Sequence, residues 1–335
     1  MRMRAAFITN SPELIDRVYP ESVRQRLNEL LDLLPGVLTE ETLAARAEEV
    51  KDVRVLLSTW GMPALTQQRI AEIFPNLQVL FYGAGSVQAF ARPFLARGVR
   101  VISAWAANAV PVAEYTVSQI VLSGKGCFQA MRRYRDHDRD DAKRFVASQP
   151  CNYRIRVGLL GAGMIGRMVA ERLRAYEYEV LIYDPFVSDE TLAALGARRA
   201  TLEEIFSTCQ IISNHVANLP STVGMIDEKL LRSMLPNATF INTGRGAQVD
   251  EAALARAMEE CPDRTALLDV TFPEPPDADS PLLRLPNVFL TPHIAGSMGR
   301  EVARMGAYMA DECARILSGE APRYEVTPAM LETMA

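Results

Sequence analysis

Residues 155–184 read IRVGLLGAGMIGRMVAERLRAYEYEVLIYD, and the fold is decided there. Ile155, Val157, Leu159 and Leu160 make a short, nearly continuous apolar run, as expected of a strand buried on both faces of a parallel sheet. Gly161, Gly163 and Gly166 follow at GxGxxG spacing. The first permits a tight turn, the second lets backbone approach a pyrophosphate, and the third lets the next helix pack on the strand. A helix opening at about Met164 points free N–H groups and its positive dipole end at that anion. Ile165, Val169, Ala170 and Leu173 recur at helical spacing, and Val180–Tyr183 form the next apolar strand. Asp184 lies 18 residues beyond Gly166, near the ~20 expected of an acid that binds an adenosine ribose. A glycine-rich turn that binds nothing is the bland alternative. The strand before, the helix after and the acid at the right distance outweigh it, and the stretch is read as a dinucleotide site for NAD. Asp184 would repel a 2′-phosphate, and Pro185–Phe186 bring no compensating charge.

The rest of the composition removes other classes. A chain of 335 residues has room for two domains with full cores. Its net charge of −5 gives no basic surface for nucleic acid and disfavours anionic membranes. The opening MRMRAAFITN predicts a strand, its apolar run being shorter than a signal peptide's core, and no run of 18 apolar residues follows. Five cysteines at 127, 151, 209, 261 and 313, without a CxxC pair, suit reduced thiols in a cytoplasm. The three histidines, 137, 215 and 293, lack metal-ligand spacing, so no metal is expected.

The first hundred residues alternate strand and helix, which predicts a parallel sheet wrapped by helices. Expected strands are 5–9, 53–58, 79–82 and 99–102, with one long helix over 12–34. The small residues 82–86 (YGAGS) end a strand, and exposed N–H groups there would suit a carboxylate. A helix runs from about 106 to 125. The charged run 131–144 reads as a solvated helix or arm, which makes His137 an exposed histidine without a catalytic part. Beyond Asp184, strands are expected at 211–215, 239–242, 266–270 and 288–290, helices at 227–234 and 251–259, and a last helix over 297–317.

Arg245, Glu274 and His293 each fall just past a predicted strand or in the loop following it. In a doubly wound sheet those ends line one crevice. An arginine fork fits a carboxylate bidentately. A histidine is the usual proton carrier near neutral pH, and a carboxylate beside it orients the ring and favours its charged form. These are the parts that hydride transfer between NAD and a 2-oxo acid requires. Each residue also has a structural reading: a loop arginine, a surface charge, a satisfied core histidine.

INTGRGAQVDEAAL, LLDVTFPEPP and LRLPNVFLTPHIAG resemble the successive signatures of the D-isomer-specific 2-hydroxyacid dehydrogenases, with GAGMIG, Asp184, HVANLPST and NAVPVAEYT in the matching order. The resemblance implies an α/β fold of two doubly wound parallel-sheet domains with a cleft between them. These are a Rossmann cofactor domain over 105–298 and a flavodoxin-like substrate domain over 1–104 and 299–335. It implies that Arg245 binds the substrate carboxylate and carbonyl, that His293 is the acid/base, and that Glu274 is its partner. It implies that Asp269 holds the nicotinamide carboxamide. Backbone at Met164–Ile165, Val216–Ala217, Thr243–Gly244 and Ala295–Gly296 lines the cofactor, with Arg245 and His293 bordering it. Ala84 and Gly85 offer N–H groups to the substrate carboxylate. A homodimer through the cofactor domain is implied, with 111–145 as its arm. Three positions depart from the family: Met164 replaces a frequent basic residue, Ala217 a usual proline and Leu219 a usual threonine. Two rivals share the fold. One is a corepressor-like protein that senses NAD. The other is a formate dehydrogenase-like enzyme, against which Glu274 argues because that group carries glutamine there.

Overall fold

A strand of a covered parallel sheet must be apolar on both faces, and the central strands Val55–Ser58, Val79–Tyr82, Ile211–Asn214, Thr239–Asn242 and Thr265–Leu268 are buried along their whole length. The computed structural model describes residues 2–135 and 138–332, so the expectation for His137 lies outside the described residues. The chain divides into two compact units, Met1–Asn108 with Ser297–Ala335, and Ala109–Gly296. Strands β1 (Met3–Ile8), β2 (Leu31–Leu38), β3 (Val55–Ser58), β4 (Val79–Tyr82) and β5 (Arg100–Ser103) belong to the first unit. The second holds β6 (Arg156–Leu160), β7 (Glu179–Tyr183), β8 (Ala197–Arg199), β9 (Ile211–Asn214), β10 (Thr239–Asn242), β11 (Thr265–Leu268) and β12 (Val288–Leu290). The short β13 (Glu325–Val326) returns to the first unit.

The second unit's sheet runs β12-β11-β10-β9-β6-β7-β8, every pair parallel. Its order reverses at β6, next to β9, and ligands of doubly wound sheets bind at such a switch point, outside the carboxyl ends of the strands. Alternate side chains of each strand enter opposite layers. Leu160, Leu181, Ile212, Phe240 and Leu268 fill one layer, and Leu159, Ile182, Ile211, Ile241 and Leu267 fill the other. The register carries the functional consequence. Tyr183 and Asn214 both pair with Leu160, Asn242 pairs with Asn214 and Leu268, and Leu290 pairs with Leu268. Six strands therefore end level, and the next residues along that edge are Gly161, Asp184, His215, Thr243, Asp269 and Thr291.

The first unit's sheet runs β13-β5-β4-β3-β1-β2, parallel except for β13 against β5. The continuous helix expected over 12–34 is absent. Helices Glu13–Val18 and Glu21–Leu30 are separated at Tyr19–Pro20, and β2 begins at Leu31. Leu27, Leu30, Leu31 and Leu34 repeat at helical spacing, but Pro20 has no N–H to continue the first helix and instead starts the second. Leu31 and Leu38 are buried through pairing of β2 with β1, and the register skips around Pro35–Gly36. The last helix starts at Val302 rather than 297, after a 3₁₀ turn at Gly299–Glu301 where Gly299 has φ +53°.

Candidate active site

Each glycine of the 161–166 turn has a separate physical reason. Gly161 sits at φ +92°, and a Cβ there would come within 2.9 Å of the His215 carbonyl oxygen. A Cβ on Gly166 would lie 2.1 Å from the Gly161 carbonyl oxygen, so the helix Met164–Leu173 closes on the turn only with glycine. Around Gly163 nothing lies within 4 Å of the Cβ position, which leaves open space at the helix start. A glycine turn with open space ahead of a helix N-terminus is the geometry that can take a pyrophosphate. Met164 and Ile165 supply the first helical N–H groups. Arg167 reaches back to donate from Nε to the Ala162 carbonyl at 2.7 Å.

Asp184 follows β7 and is fixed against the turn. Its Oδ2 accepts from the Ala162 N–H at 2.7 Å, and its Oδ1 accepts from the N–H groups of Phe186 and Val187 at 2.8 and 3.0 Å. Arg199 lies nearby without being free for a phosphate. It donates to the carbonyls of Asp184 and Val187 and pairs with Asp189 at 2.8 Å.

A buried amide network links the loops after β9 and β10, and sequence reasoning missed it. Asn214 Nδ2 donates to Asn242 Oδ1 at 3.0 Å and to Gln248 Oε1 at 2.6 Å, and Asn214 Oδ1 accepts from the Val216 N–H at 3.2 Å. Gln248 Nε2 donates to the carbonyls of Val216 and Ala217 at 2.7 and 2.9 Å, while its Oε1 also accepts from the Arg245 N–H at 3.2 Å. Asn242 accepts from the Gly244 N–H and donates to the Arg245 carbonyl, both at 3.0 Å. Thr243 meets Thr116 through their hydroxyls at 3.3 Å. IISN and TFIN each close an apolar strand on an asparagine, which was the available signal. His215, next in line, touches Ser213 at 2.9 Å through Nε2. Burial pushes its ring down to about 3, so it stays neutral and is not a proton carrier near pH 7.

Asp269 shapes the loop that presents His293. Its carboxylate, almost fully buried, accepts from the Thr291 hydroxyl at 2.6 Å and from the N–H groups of Ile294 and Ala295 at 2.8 and 2.9 Å. Tyr115 joins through its hydroxyl, 3.0 Å from that of Thr291. The loop turns back at His293, whose φ of +55° is a left-handed conformation costing a non-glycine residue ~1–3 kcal/mol. Its N–H donates to the carbonyls of Asp269 and Thr291, both at 3.0 Å. Held this way, the half-exposed ring places Nδ1 2.7 Å from Glu274 Oε1. An ionised carboxylate there can only accept, so the contact favours the proton on Nδ1 and leaves Nε2 the ring nitrogen outside this pair. The loop carrying Glu274 is itself anchored. Glu251 Oε1 accepts from the Phe272 N–H at 2.7 Å, and a Cβ on Gly246 would come within 2.0 Å of Thr271 backbone.

Arg245 completes the group. Its Nη1 donates to the Gly244 carbonyl at 2.7 Å, and among the described residues no carboxylate pairs with it within 4 Å. Burial lowers its affinity for a proton, opposed by the charge of Glu274, so a desolvated cation stands near the His293–Glu274 pair. Ala295 is buried, and Gly296 closes this unit. Ala84 and Gly85 belong to the other unit, in the loop after β4, where the Ser103 hydroxyl donates to their carbonyls at 3.0 and 2.6 Å. Among the described residues, no group of His, Cys, Asp and Glu side chains could hold a metal ion, and no helix is long and apolar enough to cross a membrane.

A family model described as D-isomer specific 2-hydroxyacid dehydrogenase, NAD binding domain, matches residues 117–295. The chain is 35% identical over 225 residues to D-3-phosphoglycerate dehydrogenase of Mycobacterium tuberculosis (strain ATCC 25618 / H37Rv), covering 67% of this chain and 42% of that protein. The D-3-phosphoglycerate dehydrogenase of Methanocaldococcus jannaschii is 30% identical over 292 residues, 87% of this chain and 54% of the relative. The chain thus spans about half the length of the curated relatives it matches. Among solved structures, the apo form of Rhodotorula graminis D-mandelate dehydrogenase superposes with a TM-score of 0.80 at 20% identity, covering 98% of each chain, a likeness of fold. The family match extends over more than half of the 335 residues and takes in the turn, the acid and the His293 loop. The chain belongs to the D-isomer-specific 2-hydroxyacid dehydrogenases, and 117–295 is that family's NAD-binding domain.

Proposed function

We propose that the protein is an NAD-dependent oxidoreductase that interconverts small 2-oxo acids and D-2-hydroxy acids, with His293 as acid/base. The observation that carries this is Arg245, a desolvated guanidinium without an ion pair, beside a histidine already tied to a carboxylate. A half-buried cation without an ion pair calls for an anion, and a planar fork fits a carboxylate bidentately. Bound NADH supplies the hydride. Arg245 grips the substrate carboxylate and polarises the adjacent carbonyl, and His293 gives the carbonyl oxygen a proton from Nε2. Glu274 keeps the ring in that orientation and offsets the imidazolium charge. In the oxidative direction His293 takes the proton back from the hydroxyl. Asp184 would hold the adenosine ribose, and Val216, Ala217, Thr243, Gly244, Asp269, Ala295 and Gly296 would line the nicotinamide half. Within the first unit, Ala84 and Gly85, whose N–H groups have no acceptor among the described residues, are donors suited to an anion.

The test is NADH oxidation across glyoxylate, pyruvate, hydroxypyruvate and aromatic 2-oxo acids, with His293→Asn alongside. Turnover of at least one acid is expected, and the variant should lose about 10²–10⁴-fold in kcat, the usual size of general acid–base assistance. NADH binding without turnover on any acid would instead favour an NAD-sensing binding protein. We extend the reading to a homodimer through the helices Trp105–Gly124 and Cys127–Arg135, where Leu122, Met131 and Tyr134 are exposed. A monomer at micromolar concentration in sedimentation velocity would contradict it.

A further inference from the structure

Gln248 is fully buried, and every polar atom of its side chain is used. Its Oε1 takes the Arg245 N–H and one proton of Asn214; its Nε2 spends both protons on the carbonyls of Val216 and Ala217. One amide therefore touches two functional loops directly. The loop after β9 carries Val216 and Ala217, and the loop after β10 carries Arg245. The coupling is closed by a second path, since Asn214 holds the Val216 N–H and Asn242, and Asn242 holds the Arg245 carbonyl and the Gly244 N–H. Gly244 leaves no slack, because a Cβ there would lie 3.0 Å from both Asn214 Nδ2 and Gln248 Oε1. Such a ring of buried amides has few alternative arrangements, since any member that turns strands its partners without hydrogen bonds.

We propose that Gln248 is a positioning residue that couples occupancy of the cofactor loop at Val216–Ala217 to the placement of Arg245, so that NADH tightens the site for the substrate carboxylate. The proposal rests on the reading of Arg245 as the carboxylate anchor. Displacement of the Val216–Ala217 carbonyls by bound cofactor is felt at Gln248 Nε2, and its rigid amide passes it to the Arg245 N–H on the other side. Arg245 touches substrate in this account and Gln248 does not. By linkage the coupling is reciprocal: the acid should tighten NADH by the same factor.

The probe is oxamate, an unreactive mimic of a 2-oxo acid, titrated calorimetrically with and without saturating NADH. Wild type should bind oxamate at least 5-fold more tightly with NADH present, the lower end of usual allosteric couplings. Gln248→Met fills similar volume without polar atoms. It should cut that ratio at least 3-fold, with KM for the acid rising more than kcat falls. A role confined to holding the fold would lower stability and leave the ratio where it was. A second measurement uses wild type alone. NADH should slow hydrogen exchange of the amides in 243–249 by several-fold in the absence of any acid, which keeps the proposal testable should the variant fold poorly. An unchanged oxamate ratio in Gln248→Met, or no added protection of 243–249 with NADH, overturns the coupling. Oxamate that fails to bind wild type at all removes the Arg245 reading along with it.

Discussion

At Gly163 the place of a Cβ is empty to 4 Å, whereas at Gly166 a Cβ would sit 2.1 Å from backbone oxygen. On the proposed reading the first glycine serves the ligand and the second the fold, and alanine separates them. Gly163→Ala should fold with stability within ~1 kcal/mol of wild type, because its φ of −69° suits any residue and alanine is only mildly worse at a helix cap. Its methyl group would occupy the pyrophosphate's space, so NADH affinity should fall by about 10-fold or more, ~1.4 kcal/mol. Gly166→Ala should lose at least ~1–3 kcal/mol of stability through overpacking against backbone. Fluorescence titration with NADH and urea unfolding check both; a Gly163→Ala protein that binds NADH like wild type would contradict that reading. At this scale much of the site was legible. Gly161, Gly163, Gly166, Asp184 and the Arg245–Glu274–His293 set stood out as candidates by residue type and position after strands, and the structure brings His293 and Glu274 to 2.7 Å of each other. Gln248 did not, because its partners lie on neighbouring loops and its role depends on a register that no linear spacing reveals.

The loop between β11 and β12 is held as a unit by the helix Glu251–Glu260, and its anchor titrates. Burial raises the Glu251 carboxyl to about 7 while its bond from the Phe272 N–H pulls the other way. The raised value fixes the sign. Below the unfolded carboxyl range both states are protonated and no stability is lost. As pH climbs from about 4.5 towards 7 the unfolded chain releases its proton first, so stability falls across that window and stays lower above it. Glu251→Gln keeps an acceptor for the Phe272 N–H and removes the charge. Its stability relative to wild type should therefore improve between pH 5 and pH 8, measured by thermal melts in matched buffers. A difference that is flat with pH would show that Glu251 does not titrate in this window. Elements were legible where apolar runs ended in glycine or polar residues, as with β10, β12 and the helix from Met164. They were misread where a strand borrowed helical spacing, as Leu27, Leu30, Leu31 and Leu34 did ahead of β2. The three-residue β8 carries only one apolar side chain and gave no signal.

For the molecule as a whole, the proposed activity leaves a choice among acids, and charge decides more of that choice than shape. The relatives from M. tuberculosis and M. jannaschii bear the name D-3-phosphoglycerate dehydrogenase, and a phosphate carries about 1.5–2 negative charges near pH 7. Holding it in a partly desolvated site favours an arginine or lysine partner. In the first unit, β3 and β4 end level, Ser58 against Tyr82, so the segments 58–63 (STWGMP) and 81–86 (FYGAGS) leave one sheet edge together. Neither contains a basic residue. The arginines of nearby helices are engaged elsewhere, Arg69 with Glu40 at 3.2 Å and Arg92 with Glu332 at 3.6 Å. Trp60 is instead partly exposed in the first of these segments. Unphosphorylated 2-oxo acids should therefore exceed 3-phosphohydroxypyruvate in kcat/KM by about 10-fold or more, the worth of one missing charge-assisted contact. In the reverse direction 3-phosphoglycerate should be a poor reductant of NAD. The comparison is made at fixed, saturating cofactor and constant ionic strength, because a surface cation elsewhere would show itself as a salt-dependent KM. A phosphorylated acid that outruns every unphosphorylated one would mean that a cation distant in sequence reaches the substrate.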